Sequence, residues 1–332
     1  MLGICMLSFA HVHAVDYARR IVAHPDAEIR CIWDDDPVRG QEAAERFGVP
    51  WTADIDAALS RPDVDAAVVN STTKDHPWVY KAALDHKKHL YTEKALTLAL
   101  ADAEAVVAAV KRAGVKFMIS LPQRTSPETL FMKQALDAGW LGQVTLMRAR
   151  IAHSGGLDRW FKGGSAWFAD ADLAGGGAMF DLGCHIVDVM RWFMGPPKSV
   201  VAKINNLTDN YPIDDNSAVV VEFASGALGV LECSWAQRRG PRPWEIYGTE
   251  GYVGKDPFGG LIVESTQLDP EGVQGLIRVG KLPPAEPHPM DQWLSAILHD
   301  TPMTITVEDG RNLTELMEGM YIASREGREY RF

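Results

Sequence analysis

Residues 175–188 read Gly-Gly-Gly-Ala-Met-Phe-Asp-Leu-Gly-Cys-His-Ile-Val-Asp, and no other stretch says as much about how the chain folds. The three glycines precede a predicted helix over about Met179–Phe193, and they predict a flexible turn with a close backbone approach. Apolar residues recur from Leu182 to Phe193 at helical spacing, so one face of this helix is predicted to pack into a core.

The same stretch carries a predicted acid–base pair. Asp181 and His185 are four residues apart, so an α-helix presents both on one face. A neutral histidine accepts a proton near pH 7, and a neighbouring carboxylate can support it. The alternative is a structural pair in which Asp181 caps His185. A metal site is not favoured here, because no third histidine or cysteine stands at a suitable spacing.

The residues before this stretch alternate between apolar runs and helix-like segments. Predicted strands are Leu2–Leu7, Ile29–Trp33, Ala66–Asn70, His89–Tyr91 and Lys116–Ser120. Predicted helices are Val12–Ala23, Pro37–Phe47, Pro77–Asp85 and Ala101–Ala113. This alternation predicts a parallel sheet covered by helices, the arrangement of an α/β domain.

After Pro122 the pattern changes. Helix Pro127–Ala138 is followed by strand-like runs at Val144–Ala152, Ser199–Asn205, Ala218–Phe223, Leu228–Trp235, Trp244–Tyr247 and Gly260–Glu264. Turn signals separate several of these runs, which predicts a largely antiparallel sheet. Helices near Met290–His299 and Asp309–Ser324 end the chain. We therefore predict two domains, residues 1–121 and 122–332.

The first predicted turn stands where a dinucleotide-binding loop belongs, but it lacks the glycines of G-x-G-x-x-G. Aligned on His13, the three glycine positions hold Cys5, Leu7 and Ala10. A shift of one residue would instead place Ser8 near the phosphates. Ser8, Phe9 and Ala10 are therefore the predicted cofactor-binding residues of this turn.

Asp34 ends the second predicted strand, where a carboxylate can accept hydrogen bonds from the adenosine ribose. It would repel a 2′-phosphate, and no arginine follows immediately to compensate. NAD is therefore the predicted cofactor and NADP the less favoured one. A solvated turn over residues 34–37 is the alternative interpretation.

Further candidates follow the third and fourth strands. Thr72, His76 and Glu93 are predicted to contact the cofactor, although packing at a helix start explains His76 equally well. Lys94 follows the fourth strand, where its ammonium can contact both cofactor and substrate and stabilise developing alkoxide charge. Position alone would not distinguish Lys94 from a surface lysine.

The substrate is predicted to contact a set of polar and aromatic side chains. This set comprises Lys94, Arg124, His153, Trp167, Asp181 and His185, with Trp160 and Phe168 as further parts of an apolar wall. Core packing explains the aromatic members about as well. His11, His13 and Asp16 could be metal ligands, but their position at the cofactor turn argues against it, and no metal is predicted.

Composition narrows the range of partners. The net charge of -11 disfavours nucleic acid and anionic membrane surfaces. The four cysteines form no C-x-x-C pair and are interpreted as reduced thiols of a cytoplasmic protein. The apolar start, Met1–Ala10, is better explained as a buried strand than as a signal peptide. No apolar run reaches the roughly 18 residues of a membrane helix.

With these residues in view, the chain resembles the glucose–fructose oxidoreductase/inositol dehydrogenase (Gfo/Idh/MocA) family over nearly its whole length. The family's E-K-P motif corresponds to Glu93-Lys94-Ala95, and its GGG-x-x-x-D-x-G-x-H-x-x-D motif is complete from Gly175 to Asp188. The resemblance implies an N-terminal Rossmann domain and a C-terminal α/β domain with a large, mostly antiparallel open sheet. It also implies homodimers or homotetramers formed through that sheet. The missing glycines and Ala95 in place of proline are its two departures.

The leading functional hypothesis is a reversible NAD-dependent dehydrogenase of a secondary alcohol in a sugar, polyol or sugar derivative. Lys94, Asp181 and His185 are its predicted catalytic residues, with His185 as the base. An NAD-dependent glycosidase that oxidises a sugar hydroxyl transiently would use the same three residues. A non-catalytic binding protein is the third hypothesis, and the altered cofactor turn is its only support.

Overall fold

The computed structural model describes residues 1–238, 240–268 and 275–332. The strands are β1 (Leu2–Leu7), β2 (Ala27–Trp33), β3 (Trp51–Thr52), β4 (Ala66–Val69), β5 (His89–Thr92), β6 (Phe117–Ile119), β7 (Val144–Ala152), β8 (Pro197–Asn205), β9 (Asn216–Phe223), β10 (Leu228–Ser234), β11 (Trp244–Gly248), β12 (Gly251–Lys255), β13 (Leu261–Ser265), β14 (Ile277–Arg278) and β15 (Tyr330–Arg331).

The α-helices are α1 (Ala14–Ala23), α2 (Pro37–Phe47), α3 (Ile55–Leu59), α4 (His76–Asp85), α5 (Leu100–Ala113), α6 (Pro127–Asp137), α7 (Ala171–Ala174), α8 (Cys184–Met194), α9 (Pro289–His299) and α10 (Val307–Glu326). Turns of 3₁₀-helix cover Thr73–Asp75, Pro122–Thr125 and Gly163–Ala169, and Met179–Gly183 is a π-helix. Across the described parts of the chain, no helix combines the length and apolarity needed to span a bilayer.

The chain forms two compact units. Unit 1 contains residues 1–121, 161–175 and 288–314, and unit 2 contains residues 122–160, 176–287 and 315–332. The chain therefore passes between the units more than once. The division into domains at residue 121 stays a prediction.

Unit 1 is built on a six-stranded sheet in the order β3-β2-β1-β4-β5-β6, in which every neighbouring pair is parallel. All six residues of β1 are buried, as expected for a strand flanked by neighbours and covered on both faces. In this sheet the strand order changes direction between β1 and β4. Open parallel sheets bind their ligands at such a switch point, at the carboxyl ends of the strands.

Unit 2 contains a nine-stranded sheet in the order β14-β13-β12-β11-β7-β10-β9-β8-β15. Only the β7–β10 pair is parallel, and the other described pairs are antiparallel. Together the two sheets confirm the predicted fold class. The sequence did not predict β3, β14 and β15, because two residues are too few for a periodicity, and it did not predict β12, because the two glycines of that strand indicate turns.

Local signals account for the helix that follows β2. The Asp36 side chain accepts hydrogen bonds from the backbone nitrogens of Val38 and Arg39, at 2.9 and 3.2 Å. Pro37 occupies the first turn, where its missing N–H costs nothing, and Gly48 ends the helix with φ of 67°. The bounds predicted for this helix are confirmed for that reason.

Candidate active site

The cofactor turn of unit 1 begins at Ser8, directly after β1. Ser8 has φ of 72°, the left-handed conformation that usually selects glycine. Its backbone nitrogen donates to the Trp33 carbonyl (2.7 Å), and its hydroxyl accepts from the Ala10 nitrogen (3.2 Å). These bonds hold a turn from Ser8 to His13 without the expected glycines. Leu7 lies buried in β1, so the alignment that placed it within the turn is wrong.

This turn removes the only support for a non-catalytic protein. The short Ser8 side chain bonds within its own turn, and α1 begins at Ala14 directly after it. A tight turn leading into a helix N-terminus is the arrangement that binds a pyrophosphate, because backbone N–H groups point at the ligand. The residues present therefore fit a dinucleotide.

Asp34 lies at the end of β2, as predicted, and its side chain is fully buried. It accepts a hydrogen bond from the Phe9 nitrogen at 2.8 Å, which ties the cofactor turn to β2. The Arg39 guanidinium also contacts both carboxylate oxygens, at 3.1 and 3.0 Å from its Nε. No arginine follows Asp34 immediately, as the sequence shows, but a compensating arginine stands further along the chain. Arg39 stands five residues later, in the first turn of α2, where it faces back onto the strand end.

Glu93, a predicted cofactor contact, is the centre of a buried polar network. Its Oε1 accepts a hydrogen bond from the Tyr17 hydroxyl and lies 2.9 Å from His13 Nδ1. Its Oε2 accepts from the Lys94 nitrogen at 3.0 Å and lies 3.7 Å from His11 Nε2. Burial acts to raise the pKa of Glu93, but His11, His13 and Lys94 lower that pKa below its ordinary value, so the carboxylate stays ionised.

The same network contains a group of possible metal ligands. One ligand atom each from His11, His13 and Glu93 lies within 4.8 Å of the others. Asp16 is not part of this group and pairs with Arg19 at 3.4 Å on the surface. Hydrogen bonds from Tyr17 and from the Lys94 backbone already explain why Glu93 is buried there. The absence of a bound metal stays a prediction.

His76 supports the backbone that follows Lys94. Its Nδ1 lies 3.0 and 3.1 Å from the carbonyl oxygens of Ala95 and Leu96, and 2.9 Å from the Tyr80 hydroxyl. Burial lowers the pKa of His76, which favours the neutral ring. The packing interpretation of His76 therefore accounts for its contacts without a cofactor. The Lys94–Ala95 peptide bond is cis. Ala95 stands where the family motif has proline, and its carbonyl oxygen is held by the contact with His76 Nδ1.

Lys94 and Thr72 follow strands of the parallel sheet in unit 1. The Lys94 side chain is only 7% exposed, so it is not the surface lysine of the alternative interpretation. Thr72 is partly buried, and its hydroxyl donates to Asp75 at 2.5 Å at the start of a 3₁₀ turn. Thr72 thus shapes the loop after β4, and its contact with cofactor stays a prediction.

In unit 2 the glycine run is held by Asp214. The Asp214 side chain accepts hydrogen bonds from the nitrogens of Gly177 (2.7 Å) and Met179 (3.0 Å), and from the Tyr321 hydroxyl (3.0 Å). A Cβ at Gly177 would lie 1.9 Å from the Asp214 carbonyl oxygen, and one at Gly176 would lie 2.1 Å from the Tyr321 hydroxyl. The predicted close approach is confirmed, and it is packing space that requires these two glycines.

The helix predicted as one piece over Met179–Phe193 has two parts. Met179–Gly183 is a π-helix, and the α-helix begins only at Cys184. Asp181 therefore lies on the wider π turn and His185 on the α-helix, which corrects the assumption of regular α-helical spacing. Both side chains are half-buried. Single π turns inside helices occur frequently at functional sites.

The close contacts around Gly176 and Gly177 lead to a prediction about stability. We expect Gly177→Ala to lower the free energy of unfolding by about 1–3 kcal/mol or more, because the added methyl group would overlap the Asp214 carbonyl oxygen. Gly164→Ala is the matched control, since its Cβ would meet no described atom within 4 Å. Urea unfolding of both variants measures the difference. Equal stability of the two would show that the turn relaxes and that the glycine is not required.

Arg124, predicted to bind substrate, has a structural partner in unit 2. Its Nε and Nη2 lie 2.9 and 2.7 Å from the two carboxylate oxygens of Asp188 on α8, and both side chains are buried. Its guanidinium also lies over the Trp192 ring at 5.1 Å. Through these contacts with Asp188 and Trp192, Arg124 holds α8 in place. We therefore do not include it among the proposed substrate contacts.

The predicted aromatic wall separates into two groups. In unit 1, Trp167 is buried, and its indole N–H donates to the Ala10 carbonyl at 3.0 Å, so it packs against the cofactor turn. Phe168 stacks on it at 4.1 Å. In unit 2, His153 stacks on Trp160 at 4.7 Å, and Trp160 is 54% exposed. Burial lowers the pKa of His153, while the negative charge of Asp181 acts in the opposite direction.

Comparison with known proteins agrees with this arrangement. Residues 9–121 match the model of the oxidoreductase family with an NAD-binding Rossmann fold, and residues 129–254 match the GFO/IDH/MocA C-terminal domain. The chain belongs to the Gfo/Idh/MocA oxidoreductase family. These matches confirm the predicted family. They also confirm the prediction of an oxidoreductase that uses NAD.

Several individual proteins are similar to this chain. It is 26% identical to scyllo-inositol 2-dehydrogenase (NAD(+)) of Bacillus subtilis, over 76% of this chain and 72% of that one. It is 24% identical to levoglucosan dehydrogenase of Pseudarthrobacter phenanthrenivorans, over 68% of this chain and 64% of that one. The crystal structure of GenD2 from gentamicin A biosynthesis, in complex with NAD, superposes with a TM-score of 0.82 and 27% identity, covering 100% of this chain and 96% of that chain.

Proposed function

We propose that the chain reversibly oxidises a secondary alcohol of a sugar, polyol or sugar derivative with NAD. The observation that carries this proposal is the position of two half-buried side chains, Asp181 on the π-helix and His185 in the first turn of α8, in a member of this oxidoreductase family. The relatives described above are named as dehydrogenases of scyllo-inositol and levoglucosan, which supports a polyhydroxylated substrate.

Each catalytic side chain has a distinct proposed role. His185 takes the proton from the substrate hydroxyl, and the negative charge of Asp181 orients the imidazole and supports its protonated form. The Lys94 ammonium stabilises the developing alkoxide, and its burial strengthens that interaction because little water screens it. When bound, NAD supplies the acceptor for the hydride that leaves the same carbon.

The cofactor would be held by residues at the carboxyl ends of the strands of unit 1. Ser8, Phe9 and Ala10 form the turn that would face the pyrophosphate at the start of α1. The remaining proposed contacts are Asp34, Thr72, Glu93 and Lys94. Glu93 would act mainly through its network, because its carboxylate holds Tyr17 and His13 in place.

Trp160 and His153 are the proposed substrate-side residues of unit 2, besides Asp181 and His185. The exposed indole of Trp160 offers an apolar face of the kind on which a sugar ring can pack. His153 adds a polar ring held against that indole. Trp167 is left out, because its N–H and ring are used by the cofactor turn.

A substrate screen tests this function. The purified protein is incubated with NAD and a panel of inositols, aldoses, anhydrosugars and aryl glycosides, and NADH and aglycone release are both measured. We expect NADH formation that depends on one of the polyols or sugars. Aglycone release without net NADH would instead indicate the NAD-dependent glycosidase. No turnover of any member together with no NADH binding would overturn the proposal.

We also propose a homodimer or homotetramer formed through the sheet of unit 2. Its supporting observation is a group of exposed apolar side chains on the adjacent strands β8, β9 and β10, namely Val201, Val220 and Leu228. A cytoplasmic location remains a proposal as well. It is supported by the four cysteines, which are all buried and form no disulfide in the described residues.

A further inference from the structure

Arg39 covers the carboxylate expected to bind the adenosine ribose. Its Nη2 lies 2.6 Å from Asp34 Oδ1, and its Nε lies 3.1 and 3.0 Å from the two Asp34 oxygens. The same Nη2 also contacts Asp35 at 2.7 Å and the Ser8 hydroxyl at 3.3 Å. The guanidinium thus links the end of β2 to the cofactor turn, and its side chain is 24% exposed.

Asp34 has no acceptor capacity left while Arg39 is in place. Its Oδ2 also accepts from the Phe9 nitrogen at 2.8 Å, and its Oδ1 accepts from the Asp36 nitrogen at 3.0 Å. A carboxylate offers about four lone-pair sites, and these contacts occupy them. A ribose hydroxyl can therefore bond to Asp34 only if the guanidinium moves aside.

The charged groups around Arg39 determine the net charge that a 2′-phosphate would meet at this site. Arg39 faces the side chains of Asp34 and Asp35, and Asp36 caps the same helix. Burial acts to lower the pKa of Arg39, but these three carboxylates raise it, so the group stays a cation. One cation against three carboxylates leaves a negative surplus, which disfavours a 2′-phosphate. That surplus is smaller than Asp34 to Asp36 would create alone.

We propose that Arg39 sets the discrimination between NAD and NADP by neutralising Asp34 and by offering its planar fork to a 2′-phosphate. The inference rests on the cofactor use in the proposed function and adds the residue that controls it. A guanidinium matches phosphate geometry bidentately, whereas an ammonium acts only as a point charge. The chain therefore prefers NAD, but by a narrower margin than an unpaired Asp34 would impose.

The test compares dissociation constants of NADH and NADPH, measured by calorimetry without substrate. For Arg39→Ala we expect NADPH affinity to fall by about 10- to 100-fold, the size of a lost charge-assisted interaction, with NADH affinity unchanged or improved. Arg39→Lys should lie between, since it keeps the charge and loses the fork. Arg46→Ala, an exposed arginine two turns further along α2, is the control and should leave the ratio unchanged.

Asp34→Asn keeps the proposal testable should Arg39→Ala prove unstable. This variant removes the charge and keeps the shape, so it should shift the preference toward NADPH. An unchanged NADPH-to-NADH ratio in Arg39→Ala, while NADH still binds, would overturn the proposal and leave the dehydrogenase function standing. Failure of the unaltered protein to bind either cofactor would instead overturn the proposed function.

Discussion

His185→Ala is expected to lower kcat by about 10²–10⁴-fold, the usual contribution of a general base. Cofactor affinity should stay nearly unchanged, because His185 is not among the proposed cofactor contacts. The measurement is steady-state turnover on the substrate found in the screen, alongside NADH binding. His299→Ala, at an exposed histidine that ends α9, is the control and should leave both unchanged.

Two companion variants refine this result. Asp181→Asn keeps the shape and removes the charge, and Lys94→Ala removes the support of the alkoxide, so both should also lower kcat. The losses should not add in double variants, because we propose that the three groups act on one transition state. Near-normal turnover of His185→Ala would make His185 structural, and Lys94 would then be the next candidate for the base.

Arg124→Ala is expected to lower the free energy of unfolding by about 3–5 kcal/mol. The substitution would remove the Arg124 guanidinium from its buried ion pair with the Asp188 carboxylate on α8, and breaking a buried ion pair by removing one partner is costly. Arg148→Ala is the control, because Arg148 forms a more exposed pair with Glu232 at 2.8 Å. That variant should change stability by only about 0–1 kcal/mol.

Denaturant unfolding of both variants measures the difference. The double variant Arg124→Met/Asp188→Leu should recover much of the lost stability, because it removes both charges from the buried site and keeps side-chain volume. If Arg124→Ala is as stable as the control and instead raises KM for the substrate, Arg124 binds substrate as the sequence predicted, and its role as a support of α8 is wrong.

Elements with strong local signals were predicted closely. The bounds of β1, α2 and β7 agree with those expected, because an uninterrupted or alternating apolar run identifies a strand and a capping aspartate with a terminal glycine delimits a helix. The π-helix at Met179–Gly183 was not predicted. The Met179 nitrogen at its start donates to the Asp214 side chain, 35 residues away, so the residues next to Met179 contain no signal that predicts the wider turn.

The cofactor turn shows where residue type alone misleads. Three missing glycines argued for an altered site, yet Ser8 adopts the left-handed backbone in which glycine is usual. Bonds to the Trp33 carbonyl on the neighbouring strand and within the turn hold that conformation. Such bonds depend on which strands become neighbours, which the local pattern around Ser8 does not contain.

The sequence by itself determined the fold class and the family, and it predicted Lys94, Asp181 and His185 as the catalytic residues, because they stand in motifs that are read along the chain. Only the tertiary structure decided which charges meet. Arg39 covers Asp34 from 5 residues away, Arg124 pairs with Asp188 across 64 residues, and Asp214 holds Gly177 across 37. Periodicity and capping act over one or two helical turns. The contacts of Arg124 with Asp188 and of Asp214 with Gly177 span much more of the chain, so they form only where folding brings separate elements together and burial excludes the water that would otherwise solvate the charged side chains.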